Sequence, residues 1–298
     1  VLSYSTNPGL IVSSFILQQS IGPLILYFLD LFLESEIQRE SNTGRSRAMF
    51  LTAINVSVII SFGMVTLFAN KSFSPIYLIS SMMLMPLALL ITLKFKSNIE
   101  KSTHIKFKDI KKFISKDNDI LRILLSNFVL RFFYSTMIIY LPLLLYDKIG
   151  FNWNEIGVIL VIMLLPFLLI EIPAGRLMDK KMGETEMLAL GFIIMAVSCI
   201  NLMMLQEKSL WLWVSILFIS RIGAALVEIA NEAYFFKKVD EKHSSIISLF
   251  RITDPLGMIM APLIALPALL FMSYSGLFGL LGIVCLLGLT TIPKIDTK

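Results

Sequence analysis

The stretch Pro173-Ala-Gly-Arg-Leu-Met-Asp-Lys-Lys-Met-Gly-Glu184 joins one long apolar segment of the chain to the next. It brings two glycines, an aspartate and two adjacent lysines together in one short polar turn. A turn of this kind between two apolar runs of roughly 20 residues indicates two membrane helices that reverse direction at the membrane surface. Gly175 allows the two helices to approach closely, and Lys180 and Lys181 favour the cytoplasmic side for the turn.

The composition of the whole chain agrees with this interpretation. Of its 298 residues, 56% are hydrophobic and 16% are charged, and the mean hydropathy is +0.81. These values differ from the usual balance of a soluble domain. About nine apolar runs are long enough to cross a bilayer: 9–33, 49–69, 76–95, 120–146, 155–175, 187–205, 210–236, 246–271 and 275–293. The sequence therefore predicts an all-α polytopic membrane protein. Too little chain lies between the spans for a catalytic domain, so we do not expect an enzyme.

The distribution of basic residues predicts the orientation of the spans. If residue 1 lies outside, the segments placed inside hold 19 Lys and Arg residues and the segments placed outside hold 3. Such an asymmetry is the positive-inside pattern, so the net charge of +5 reflects orientation and not a nucleic-acid partner. We expect an integral protein of a prokaryotic plasma (inner) membrane, surrounded by the lipid bilayer, with a cytoplasmic carboxyl terminus.

The cysteines and histidines do not suggest a metal site. Cys199 and Cys285 both lie within apolar runs, where a packing role is a better interpretation than a disulfide. His104 and His243 lie in separate polar loops, and the sequence around them lacks clustered His, Cys and carboxylate ligands. We therefore expect neither a metal nor a cofactor.

The turn after Gly175 resembles the G-x-L-x-D-[RK]-x-G-[RK] loop of the major facilitator superfamily of transporters. The matching positions are Gly175, Leu177, Asp179, Lys180 and Gly183. Lys181 and Met182 both fall between Lys180 and Gly183, and Glu184 stands where the family usually has a basic residue. The resemblance implies that the nine spans are the fourth to twelfth of a twelve-span bundle, with three spans before residue 1.

The resemblance also implies three regions in the chain. Residues 1–95 would be the remainder of an amino-terminal half-bundle, 96–118 a cytoplasmic basic linker, and 119–298 a carboxyl-terminal six-helix half-bundle. Apolar residues of the linker, from Phe107 to Ile114, share one helical face and are surrounded by lysines. This pattern predicts a helix lying along the inner leaflet, with a solvated basic loop as the alternative. A shift of 202 residues places Gln19 on Arg221 and Asp30 on Glu232, which favours an internal duplication.

Polar side chains form stripes inside three of the apolar spans. A charge near the bilayer centre costs roughly 2.5–3.5 kcal/mol on insertion scales, so each one needs a partner or a watery cavity. In the span 210–236, Arg221, Glu228 and Glu232 lie within about 20° of one line on a helix. The same spacing rule aligns Gln19 with Asp30 in the span 9–33. It also places four polar residues on one face of the span 120–146: Asn127, Arg131, Tyr134 and Ser135.

The resemblance implies that these three helices line a central cavity. The candidate residues for the substrate cavity or for coupling are therefore Gln19, Asp30, Asn127, Arg131, Tyr134, Arg221, Glu228 and Glu232. The alternative is that Arg221 pairs with Glu228, and Arg251 with Asp254, only to neutralise buried charge between helices.

The resemblance assigns the turn itself to a cytoplasmic gate. The candidate gate residues are Gly175, Asp179, Lys180 and Gly183. It implies that Asp179 lies against the amino end of the span 49–69, around Ser46 and Arg47, where free backbone N–H groups and the helix dipole favour a carboxylate. For Glu171, one turn before Gly175, we expect a gate or snorkelling role at the cytoplasmic interface.

The sequence thus favours a secondary active transporter that moves a small solute by alternating access, as a monomer. Proton coupling is one option, with carboxylates such as Glu228 neutralised during the cycle. Arg131 and Arg221 favour an anionic or zwitterionic solute. The alternative is a transport-inactive membrane scaffold or sensor that retains the fold. A membrane-embedded enzyme ranks third, because the sequence shows no His, Ser or metal constellation.

Overall fold

The structure is a computed structural model. It describes residues 4, 5, 7–36, 43–68, 74–94, 118–180, 182–239 and 244–294. Within these ranges the chain is helical almost throughout. The long helices are α1 (Pro8–Glu36), α2 (Thr43–Phe68), α3 (Ser74–Lys94), α4 (Asn118–Leu143), α5 (Trp153–Lys180), α6 (Glu184–Met204), α7 (Leu210–Lys238), α8 (Ser244–Leu269) and α9 (Tyr274–Gly288).

Each apolar run expected to span the membrane falls on one of these helices. Helices α4 to α9 are long and apolar enough to cross a bilayer, by length and composition. In α1 and α2, the described residues contribute the shorter apolar stretches Pro8–Gln18 and Met49–Ser61. The predicted all-α polytopic membrane fold is therefore confirmed, and the count of nine spans holds approximately. Nearly all of the predicted linker, 96–118, lies outside the described residues, which resume at Asn118.

Helix α4 continues into a single π-helical turn, Leu144–Ile149. The turn ends at Gly150, whose φ of 80° lies in the left-handed region that glycine adopts without steric cost. The ring of Tyr146 stacks on that of Trp153, with centroids 5.1 Å apart. Aromatic side chains of this kind are typical of the membrane–water interface, so the turn from α4 to α5 lies at that depth.

Helix α7 is the centre of the bundle. It packs extensively against α6 and α5 and also contacts α4 and α2. Gly191 on α6 and Gly223 on α7 let the two backbones touch, because a Cβ atom on either residue would lie 2.7 Å from the carbonyl oxygen of the other. Helix α9 packs against the other side of α6, where Cys285 and Cys199 are both buried and free.

A second close approach joins α4 to α8. A Cβ atom on Gly257 of α8 would lie 2.8 Å from the backbone carbon of Arg131 on α4. The absence of a side chain at Gly257 therefore fixes where the two helices meet, at the level of a candidate cavity residue. The helices of the amino-terminal region join this bundle mainly through α2, which packs along α5, and α1 also contacts α8.

Candidate functional site

The polar stripes of α4 and α7 face each other inside the bundle. A guanidinium nitrogen of Arg131 lies 3.1 Å from Oε1 of Glu228, and the hydroxyl of Tyr134 donates a hydrogen bond of 2.9 Å to Oε2 of the same carboxylate. Both oxygens of Glu228 therefore have a partner on α4. The structure brings together three of the predicted cavity residues in one contact.

Helix α8 adds a second carboxylate to this cluster. Asp254 lies 3.9 Å from Nε of Arg131, and its side chain is 51% exposed whereas that of Glu228 is 7% exposed. The cluster therefore extends from the buried face of α7 to the exposed side of α8. The sequence offered Asp254 only as a partner of Arg251, because helical spacing shows neighbours on one helix and not across two.

The alternative charge pairing expected from the sequence is wrong in both of its pairs. Arg251 pairs with Glu232 on α7, at 2.6 and 3.1 Å, and not with Asp254. Glu228 pairs with Arg131 and not with Arg221. The arginines reach across to α7 from other helices, because α4 packs against α7 and α8 packs against α4.

Arg221 has a different environment from the other two arginines. It is 2% exposed, and its guanidinium lies over the rings of Phe133 and Tyr134 at 5.2 and 5.5 Å. Its one polar contact in the described structure is with Sδ of Met163, at 4.0 Å, and its Nε has no hydrogen-bond partner there. A buried cation is thus held by ring faces and a thioether, with no carboxylate paired to it among the described residues.

Asn127, another predicted cavity residue, takes part in contacts that join the helices. Its side-chain amide donates to the hydroxyl of Thr253 at 2.7 Å and to the carbonyl of Phe250 at 3.4 Å. Nearby, the hydroxyl of Ser126 donates to the amide oxygen of Asn231 at 2.8 Å. These bonds tie α4 to α8 and to α7, and so they fix the position of Arg131 and Tyr134.

Glu171 on α5 is a site residue whose environment the sequence did not reveal. It is fully buried, although the sequence placed it at the cytoplasmic interface. The hydroxyl of Thr52 donates to its Oε2 at 3.0 Å and the amide of Asn55 donates to its Oε1 at 2.6 Å. Both donors are on α2, more than one hundred residues away in the chain. Complete burial excludes a snorkelling role in this structure.

The turn that follows α5 is described in part. Gly175 and Gly183 are buried, and the amide of Met182 donates to the carbonyl of Leu177 at 3.2 Å, which closes the turn. The backbone N–H of Gly183 donates to the carboxylate of Glu186 at 3.4 Å, at the start of α6.

Four predicted site residues have side chains outside the described part of the structure: Gln19, Asp30, Asp179 and Lys180. The contact of Asp179 with the amino end of α2 and the place of Gln19 and Asp30 in the cavity stay predictions.

Ion pairs join the ends of α4, α6 and α7 on the side of the bundle where the turn after α5 lies. Lys237 of α7 pairs with Glu184 of α6 at 2.5 Å, and Lys238 pairs with Asp119 of α4 at 3.7 Å. Asp119 also accepts a hydrogen bond of 3.1 Å from the backbone of Lys294. These contacts stabilise one end of the six-helix unit.

No group of three His, Cys or carboxylate side chains in the described ranges could hold a metal ion.

Comparison with known proteins agrees with the fold. The model of the family described as Major Facilitator Superfamily matches residues 123–295, which is more than half of the chain. No curated protein matches the chain. The matched region includes α5 to α9 and nearly all of α4, with Arg131, Tyr134, Arg221 and Glu228. The chain therefore belongs to the major facilitator superfamily, whose members carry out membrane transport.

Proposed function

We propose that the chain is a secondary active transporter that moves a small solute by alternating access. In this proposal, solute binds at Arg131, Tyr134, Arg221 and Glu228, between α4 and α7. The observation that supports the proposal most strongly is Arg221, a buried arginine without a carboxylate partner among the described residues. An uncompensated charge inside a membrane is costly, and such residues commonly mark substrate or ion pathways.

The surroundings of Arg221 favour a solute that carries a negative charge. A guanidinium binds carboxylates with two parallel hydrogen bonds, and the flanking rings of Phe133 and Tyr134 would exclude water from that contact. Arg131 is already paired with Glu228, so Arg221 is the arginine with donors to offer. An anionic or zwitterionic solute would satisfy them.

The position of the cluster supports alternating access, because α7 carries two of its residues and also contacts α2 of the amino-terminal region. Tyr134 links Glu228 to Arg221, because its hydroxyl donates to Glu228 and its ring lies against the guanidinium of Arg221. A solute at Arg221 would therefore act directly on the contact between α4 and α7. We propose proton coupling for this movement, a monomeric transporter, a prokaryotic inner membrane as its location and a cytoplasmic carboxyl terminus.

Transport assays in proteoliposomes test the proposal. The full-length protein would be reconstituted and supplied with labelled monocarboxylates, dicarboxylates, zwitterionic amino acids and neutral sugars, with and without a proton gradient. We expect uptake of a solute with a carboxylate group, and loss of at least tenfold in apparent affinity for Arg221→Gln.

Arg122→Gln is the matched control. Arg122 donates a hydrogen bond of 2.9 Å to the carbonyl of Ile292, away from the cluster, so the variant should transport normally. A wild-type protein that binds and moves none of the solutes would favour the scaffold or sensor alternative. Wild-type affinity in Arg221→Gln would remove Arg221 from the binding site.

A further inference from the structure

The carboxyl groups inside the described spans of α4, α5, α7 and α8 differ in the partners that they have. Away from the helix ends, these spans contain three arginines and four carboxyl groups: Arg131, Arg221, Arg251, Glu171, Glu228, Glu232 and Asp254. Glu228 and Asp254 contact Arg131, and Glu232 contacts Arg251. Only neutral donors contact Glu171 among the described residues. Of these four carboxyl groups, Glu171 is thus the one without an arginine contact among the described residues.

The neighbours of Glu171 would not favour a negative charge there. On α2 it meets the hydroxyl of Thr52 and the amide of Asn55, which are uncharged. On α7, the groups that act on it electrostatically are the carboxylates of Glu228 and Glu232. Arg131 on α4 is engaged with Glu228. A buried carboxylate needs a paired cation. Ionisation of Glu171 would therefore cost free energy in this arrangement.

The neutral acid fits the same contacts without any change of position. The side-chain nitrogen of Asn55, Nδ2, can donate only, and it would continue to donate to Oε1 of Glu171 at 2.6 Å. The hydroxyl of Thr52 can donate or accept. With a proton on Oε2, the 3.0 Å contact would reverse its direction, and Glu171 would donate to Thr52. Both oxygens of Glu171 then keep a partner, with no charge at the contact.

We propose that Glu171 is a proton-binding site of this transporter and that its protonation holds α2 against α5. This inference rests on the proposed function, because alternating access requires the amino-terminal and carboxyl-terminal helices to separate. When the contact is closed, Glu171 is buried and carries the proton. When α2 and α5 part, water reaches the carboxyl group, which releases the proton and becomes an anion.

The pH dependence follows from this cycle. The closed contact binds the proton more tightly than the open one, so acidic pH favours the closed contact and alkaline pH favours separation of the helices. Glu228 would not respond in this way in the closed form, because Arg131 and Tyr134 stabilise its ionised state. The proton site proposed from the contacts is therefore Glu171, whereas the sequence had suggested Glu228.

Distance measurement between spin labels tests the inference without a solute. Labels would be placed at Met49 on α2 and Leu177 on α5, which are 57% and 42% exposed, with Cys199 and Cys285 replaced by alanine. In full-length protein in liposomes, we expect the distance to lengthen from acidic to alkaline pH. Glu171→Gln mimics the protonated acid, and it should keep the short distance at both pH values. Glu155→Gln, at the other end of α5, is the matched control and should keep the wild-type response, because Glu155 is partly exposed and pairs with Lys208.

Several outcomes would overturn the inference. They are an unchanged distance in the wild type, a wild-type response in Glu171→Gln, or a response that is lost in Glu155→Gln as well. If Glu171→Gln does not insert into the membrane, infrared spectra of the wild type and of Glu171→Asp test the inference instead. At acidic pH, the absorption of the protonated carboxyl group must change frequency in Glu171→Asp. An unchanged absorption contradicts the inference. Uptake in proteoliposomes is measured separately, so a transporter whose Glu171 is insensitive to pH is distinguishable from a protein that does not transport.

Discussion

Within the described spans and away from the helix ends, the buried carboxyl groups lie in two environments that differ in how charge is compensated. Between α4, α7 and α8, Glu228 and Glu232 are paired with arginines of neighbouring helices. Between α2 and α5, Glu171 is bound by a hydroxyl and an amide. The first arrangement keeps its charges fixed while its helices stay together, and the second allows a carboxyl group to gain or lose a proton. The difference separates the proposed solute-binding region from the proposed pH-responsive contact.

The largest expected effect comes from breaking the Arg131–Glu228 pair. Glu228→Met would leave Arg131 buried with only Asp254 at 3.9 Å, and removal of one partner of a buried ion pair costs about 3–5 kcal/mol. We expect a matching loss of stability in detergent, measured by unfolding followed by tryptophan fluorescence. The double variant Arg131→Met with Glu228→Met should recover most of the loss. No recovery would mean that the two side chains stabilise the protein independently.

A smaller loss is expected where α6 meets α7, behind the cluster. In Gly191→Ala the new methyl group would lie 2.6 Å from the Val227 side chain and 2.7 Å from the carbonyl oxygen of Gly223. The helices must shift to accept it, at a cost of about 1–3 kcal/mol. Gly63→Ala on α2 is the control, since a methyl group there meets nothing within 4 Å. Equal thermal stability of the two variants would contradict the tight contact.

The smallest effect should come from Thr52→Val, which removes one hydrogen bond from Glu171. At acidic pH we expect a loss of about 0.5–1.5 kcal/mol, because a bond between neutral groups contributes that much. A bond to an ionised carboxylate contributes about 1.5–3 kcal/mol. Unfolding of the variant and the wild type at acidic pH therefore distinguishes the two protonation states of Glu171. A loss of about 1.5–3 kcal/mol in the free energy of unfolding would mean that Glu171 is ionised at the α2–α5 contact.

Helical periodicity accounts for what the sequence predicted correctly. Apolar runs gave the position of the helices, and the spacing of Arg221, Glu228 and Glu232 placed them on one face of α7. Periodicity does not say which helix packs against that face. The partners of Glu228 and Glu232 come from α4 and α8, so their pairing depends on packing between distant segments. For Glu171, both donors come from α2, and no local pattern around Pro173 or Gly175 points to them.

The backbone contact between Gly191 and Gly223 also provides an internal standard for measuring motion. With no side chain between α6 and α7 at this point, there is no rotamer that could change and little room for one helix to slide on the other. Two labels placed across this pair should keep one separation at every pH and with any solute. That constant separation can calibrate changes measured between α2 and α5, so that a real movement of helices is told apart from a change in the labels.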